Sequence, residues 1–225
     1  MAEGLSGKSL EFLIELRARN DRDWYYAHKQ DYELHVLNPL KAVVTALAPT
    51  ILKIDPQIET APAIDKTISR VYRDSRFSAD KSLYRDNAWI TFCRKAKEMP
   101  DVPAFYFEFA PSGYRYGVGF YSASTKTMEE YRSLISRDED GFIKIVKPIE
   151  KSGVFKVEGE KYKRSRYAGA HPEIAAWYDY KSIYLAANRD DVSEIFDFEP
   201  LTARLSDGFA SLAGIYGFWC KAAHI

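Results

Sequence analysis

Four basic side chains and two carboxylates crowd into Arg70–Tyr84, which reads R-V-Y-R-D-S-R-F-S-A-D-K-S-L-Y. Arg70, Arg73, Arg76 and Lys81 surround Asp74 and Asp80, with Tyr72, Phe77 and Tyr84 interleaved. An arginine fork matches carboxylate or phosphate oxygens two at a time, so the group reads as a grip for an anion. In that reading Arg70, Arg73 and Arg76 hold the ligand, Lys81 adds charge and Tyr72 lines the grip. Asp74 orients an arginine or acts as general base, and the Tyr84 hydroxyl donates a proton. The plainer reading has Asp74 and Asp80 pair with the arginines and pin the loop, with no ligand. A third has the basic patch dock an acidic protein or nucleic acid without catalysis.

Charge favours a discrete ligand over a nucleic-acid backbone. The whole chain is neutral, with 32 basic and 32 acidic residues. Lys66–Arg85 holds six of the basic residues and two of the acidic ones. One small basic island on a neutral protein supplies few phosphate contacts, and sequence-independent nucleic-acid affinity needs many.

Other chemistry has little support in the sequence. His28, His35, His171 and His224 show no metal-ligand spacing with one another or with Cys93 and Cys220, so neither metal nor cofactor is expected. No G-x-S-x-G, phosphate-loop or dinucleotide fingerprint is present. Two distant thiols make no disulfide framework. The N-terminus lacks an apolar signal core, and no apolar run reaches membrane-spanning length, so the expected home is the reducing cytoplasm.

The elements that must position the arginines follow from periodicity. Residues 1–8 are expected to fray. Ser9 caps a helix to about Arg19, Asn20 stops it and Asp21 caps the next, which carries Trp24, His28 and Tyr32 down one side. Asn38-Pro39 reads as a fresh helix start, with a kink or restart at Pro49. Thr67–Asp74 alternates as a strand, placing Ile68, Arg70, Tyr72 and Asp74 on one face. Ala104–Ala110 and Tyr114–Ser122 form a hairpin about Pro111-Ser112-Gly113. Gly117 and Gly119 leave a flat strip on it, flanked by Arg115, where a helix packs or a ligand cleft finds its floor. A capping box at Thr127 and Glu130 opens a helix, and Phe142–Lys151 is another, interrupted by Pro148. Val154–Glu158 and Lys161–Arg166 read as a hairpin across Gly159. Leu201, Leu205, Phe209, Leu212, Tyr216 and Trp219 step by threes and fours along a long terminal helix. Helices, then strands, then a mixture predict α+β: a mainly antiparallel sheet packed against N-terminal helices and a long C-terminal helix. At 225 residues, with 46% hydrophobic, one domain over 1–225 is expected.

Arg70-x-x-Arg73-Asp74-x-Arg76-Phe77, followed by Asp80-Lys81-x-x-Tyr84, resembles the signature of a mostly bacterial family, domain-of-unknown-function family 2461. So do Phe12-Leu13, Leu16, Asn20–Tyr25, His28-Lys29 and Tyr32, the hairpin Tyr106–Tyr121, and His171-Pro172 with Tyr180-Lys181. The likeness spans nearly the whole chain. It departs at Ser82-Leu83-Tyr84, where the family often has Thr-Pro-Tyr. The resemblance implies a single domain and carries no reaction with it.

Overall fold

Residues 4 and 5 already belong to the fold, because Leu5 is buried and Ser6 caps the first helix, α1 (Gly7–Arg19). Fraying through residue 8 is therefore corrected for residues 4–8. The structure is a computed structural model that describes residues 4–74, 76, 79–95, 101–165 and 169–225. Phe77 and Arg166, named above, lie outside them, as do residues 1–3.

Asn20 ends α1 in the left-handed region at φ 49°. The Asp21 carboxylate then accepts the Trp24 N–H at 2.7 Å and opens α2 (Arg22–Ala27). From Lys29 the chain stays helical to Ile54: α3 (Lys29–Tyr32), a π-helical turn at Glu33–Leu37 and α4 (Asn38–Ile54). Asn38 is helical at φ −67°, so it is no fresh N-cap. The wide turn lies just ahead of Pro39, where a regular i→i−4 bond would be lost, and the helix also continues through Pro49. The fused helix is long and apolar enough to cross a bilayer by length and composition. Val36, Leu40, Val43, Val44, Leu47 and Ile51 are buried along it, as in the core helix of a globular fold.

Among the described residues five strands form an antiparallel sheet: β1 (Ala88–Phe92), β2 (Pro103–Ala110), β3 (Gly113–Phe120), β4 (Lys156–Glu158) and β5 (Tyr184–Arg189), in the order β1-β2-β3-β5-β4. The β2–β3 hairpin is as expected. Among the described residues the proposed hairpin across Gly159 is not formed. β4 pairs instead with β5, and Lys161 bridges Tyr180. Thr67–Asp74 is no regular strand either. It is an extended segment whose Thr67 and Ser69 bond to β1 and whose Val71 and Arg73 bond to Leu83 and Arg85. Ile68 and Val71 are buried while Arg70 and Tyr72 are exposed, so period-two alternation fails across it.

About half the chain is helical, and with the sheet this is an α+β fold. The Cα framework divides into two compact units: residues 1–92, 106–116 and 188–207, and residues 93–105, 117–187 and 208–225. In the first unit Phe12, Leu13 and Leu16 of α1 are buried, as are Ala88, Ile90 and Phe92 of β1. The second holds α5 (Thr125–Arg137), α6 (Glu139–Ser152) and α8 (Ala213–Ala222). The α5 cap is Ser124, whose hydroxyl accepts the Thr127 N–H at 3.1 Å, and α6 runs unbroken through Pro148. Phe142 sits here edge-on to Trp177 at 5.4 Å, and Phe105 lies 4.9 Å from Tyr216. Each such fully buried aromatic contributes roughly 1.5–3 kcal/mol. The terminal helix is two pieces, α7 (Phe198–Ser211) and α8, which meet at Leu212.

Candidate functional site

The segment Arg70–Tyr84 is stitched to the α1–α2 corner by three contacts that begin in α1 and its cap. Arg17 donates to the Tyr84 carbonyl at 3.2 Å and to the Asp80 carboxylate at 2.6 Å. The Asn20 side chain accepts the Leu83 N–H at 2.6 Å. Asn20 therefore both stops a helix and receives the loop, a use its small polar side chain and left-handed backbone allow together.

Asp80 is the hub. The same oxygen that accepts from Arg17 lies 3.5 Å from Arg73, and the other oxygen accepts the Ser82 N–H at 2.9 Å. The Ser82 N–H and the Arg17 guanidinium hold the Asp80 carboxyl well below the usual carboxylate range. Arg17 and Arg73 are about one-third exposed, at 31% and 28% of their side-chain surface.

The other predicted arginines turn elsewhere. Arg70 pairs with Asp65 on exposed surface. Arg76 grips both oxygens of Asp74, at 2.9 and 2.7 Å, and its own N–H adds a third bond. That clamp pushes Asp74 down to about 2, with the Arg76 guanidinium the larger cause. Such a carboxylate is a feeble base at neutral pH. Tyr84 is fully buried, and burial raises its pKa, so its hydroxyl is badly placed to donate a proton to a ligand. Lys81 lies on the exposed segment after Asp80.

Tyr72 packs among neighbouring tyrosines. Its ring packs at 5.1 Å from Tyr84 and 5.6 Å from Tyr25, leaving 38% of the residue exposed. Burial and the neighbouring Tyr26 and Tyr84 hydroxyls raise its pKa. Arg85 donates to the Tyr72 carbonyl at 3.1 Å and lies 4.4 Å over the Trp89 ring. The Trp24–His28 pair is a stack at 4.2 Å, with the His28 Nδ1–H donating to the Trp24 carbonyl at 2.8 Å.

Arg115 is held apart from this cluster by Glu108 of β2, at 2.7 and 2.6 Å. It borders a separate cavity of about 260 Å³, together with Tyr114, Asn188, Arg189 and Asp190. Behind that cavity the Tyr114 hydroxyl donates to Glu194 at 2.6 Å, and Arg204 reaches both. The glycine strip forms no cleft floor. A Cβ on Gly117 would strike the Leu185 backbone of β5, and one on Gly119 would strike Tyr184. A larger, open cleft of about 620 Å³ lies in the second unit, bordered by Tyr121, Glu158, Glu160, Lys161, Tyr180 and Tyr184. Among the described residues, no three His, Cys, Asp or Glu side chains gather as a metal site requires.

Arg17 and Asn20 are the participants that motif reading passed over. Their signal was positional: an arginine in the last turn of a helix, and a helix stop that keeps a free side-chain amide. A comparison with curated proteins finds no match. The family model described as conserved hypothetical protein (DUF2461) matches residues 8–218, so the chain belongs to that family.

Proposed function

We propose that this protein binds a small anionic ligand, phosphorylated or carboxylated, between Arg17 and Arg73, at the seat its own Asp80 fills. One observation carries the reading: two guanidinium groups and a backbone N–H converge on a single carboxylate. That is the set of donors an arriving carboxylate or phosphate needs. The ligand displaces Asp80, so the internal carboxylate acts as a competitor that sets the affinity. Lys81 adds charge at the rim, and Arg70 and Arg76 stay with their own aspartates. The activity proposed is binding, and free thiols at Cys93 and Cys220 suit a reducing cytoplasm.

A thermal-shift screen against phosphometabolites, nucleotides and dicarboxylates tests this, run on the wild type, Arg73→Ala and Asp80→Asn. A true ligand raises the melting temperature of the wild type, fails on Arg73→Ala and acts at lower concentration on Asp80→Asn. An anion that stabilises Arg73→Ala as well as the wild type, or no anion active on any of the three, ends the proposal.

A second reading draws on the exposed rings of Tyr26 and Tyr72, the latter bonded through its carbonyl to Arg85. Tyrosine, tryptophan and arginine dominate interface hot spots, so this face also suits an acidic protein partner. In that case small anions leave the melting temperature unchanged, while Tyr26→Ala weakens capture of an acidic peptide.

A further inference from the structure

Arg132 on α5 is 3% exposed, yet among the described residues it makes no ion pair. Its one hydrogen bond runs from Nη1 to the Tyr180 carbonyl at 3.0 Å, and its guanidinium lies 5.7 Å from the centre of the Tyr162 ring. Arginine carries five N–H donors and cannot shed its charge, and no Arg132 nitrogen is among the buried atoms left without a partner, so its remaining donors reach solvent. One carbonyl and one ring leave the rest of this charge to be met by water or by an anion at that opening. Capping the Tyr180 carbonyl would need only a neutral donor.

The surroundings are rich in cations. Lys181 lies 5.7 Å from the same Tyr162 ring and pairs with Glu160. Lys161 stands 4.5 Å over the Tyr180 ring, and exposed Lys163 and Arg164 follow Tyr162. Against these stand Glu158, Glu160 and Asp179, whose carbonyl accepts the Tyr162 N–H at 2.8 Å. We propose that Arg132 anchors a second anion site in this unit, one that takes a phosphomonoester, with Lys181 as the second cation. A phosphomonoester carries nearly two negative charges at neutral pH and three acceptor oxygens, which matches one planar fork plus one point charge. Both cations lie 5.7 Å from the centre of the Tyr162 ring.

The test uses inorganic phosphate at constant ionic strength on the full chain. Arg73→Ala is the background, so that binding at the Asp80 seat does not contribute. There, phosphate should raise the melting temperature saturably, and adding Arg132→Gln should abolish the shift while Arg132→Lys keeps part of it. In parallel, one arginine Nε–H signal of the Arg73→Ala protein should move with phosphate and saturate at the same concentration. A full phosphate shift in the Arg132→Gln double variant overturns the proposal. If that variant does not fold, an arginine Nε–H spectrum indifferent to phosphate overturns it. Loss of the wild-type anion response in Arg73→Ala bears only on the Asp80 seat, so the two sites fail separately.

Discussion

Replacing Gly117 with alanine adds one methyl group where β3 and β5 leave no room. The new Cβ would lie 1.8 Å from the Leu185 carbonyl oxygen and 2.8 Å from its carbon. Both are backbone atoms, so no side-chain rotation relieves the clash and a strand must shift. Overpacking costs about 1–3 kcal/mol, and a backbone obstacle places this change at the upper end, near 3. For a chain of this length each kcal/mol moves the melting temperature by about 2–4 °C, so Gly117→Ala should melt about 6–12 °C below the wild type. Gly217 supplies the control. It sits inside α8 with nothing within 4 Å of its Cβ position, and alanine there should gain roughly 0.5–1 kcal/mol. Urea unfolding followed by circular dichroism reads both variants in one assay. If Gly117→Ala unfolds with the wild type, the approach of β5 to the glycine strip is wrong, and with it the β3–β5 neighbourhood.

Other outcomes follow from the charges and hydroxyls. In a carbon-detected NMR titration Asp74 should lose its charge near pH 2, and Arg76→Ala, which removes the guanidinium but leaves the backbone N–H, should move it part of the way back toward the ordinary value of about 4. Because the folded carboxyls of Asp74 and Asp80 lie below their unfolded values, their stabilisation is complete above about pH 4 and fades as pH falls through the folded values. Asp80→Asn should therefore flatten the acid limb of the stability curve and lower the melting temperature more than Asp65→Asn, whose single partner is exposed; equal effects would remove Asp80 from the centre of the cluster. Burial pushes Tyr25 up to about 12 and Tyr32 higher still, so absorbance at high pH should show tyrosines that stay protonated past pH 11 until the chain unfolds. The sign is opposite to that of the aspartates: stability is complete below about pH 10 and is lost as pH rises toward 12. Tyr114→Phe should cost about 0.5–1.5 kcal/mol by removing the hydroxyl shared by Glu194 and Arg204, which still pair with each other, and a double-mutant cycle with Glu194→Gln should recover a coupling of similar size.

The fold class was readable because its signals are local. Alternation marks β2 and β3, Asp21 marks a cap, and the buried stripes of α1 and α4 recur at helical spacing. Pro39 and Pro49 misled because a π-helical turn and a tolerant helix absorb what an isolated proline breaks. The glycine strip gave the right geometry, a close backbone approach, without revealing that the approaching element is the next strand. The arginine motif was visible, but its pairing was not. Which carboxylate meets which guanidinium depends on Arg17 and Asp65, which lie outside the motif and reach it only through the tertiary fold. Arg132 did leave a trace. Met128, Tyr131, Arg132 and Ile135 occupy one helical stripe and all are buried, so the arginine stands where the 3.6-residue period calls for an apolar side chain.

The interleaving of the two units reaches into biosynthesis. Residues 106–116 of the first unit are followed by 117–187 of the second, and the first is completed only by 188–207. A ribosome must therefore translate through residue 207 before the first unit has all its parts, and through 225 before the second does. The N-terminal helices meanwhile have one another and β1 to pack on, and the first unit closes only late, a condition at odds with stepwise, domain-by-domain folding.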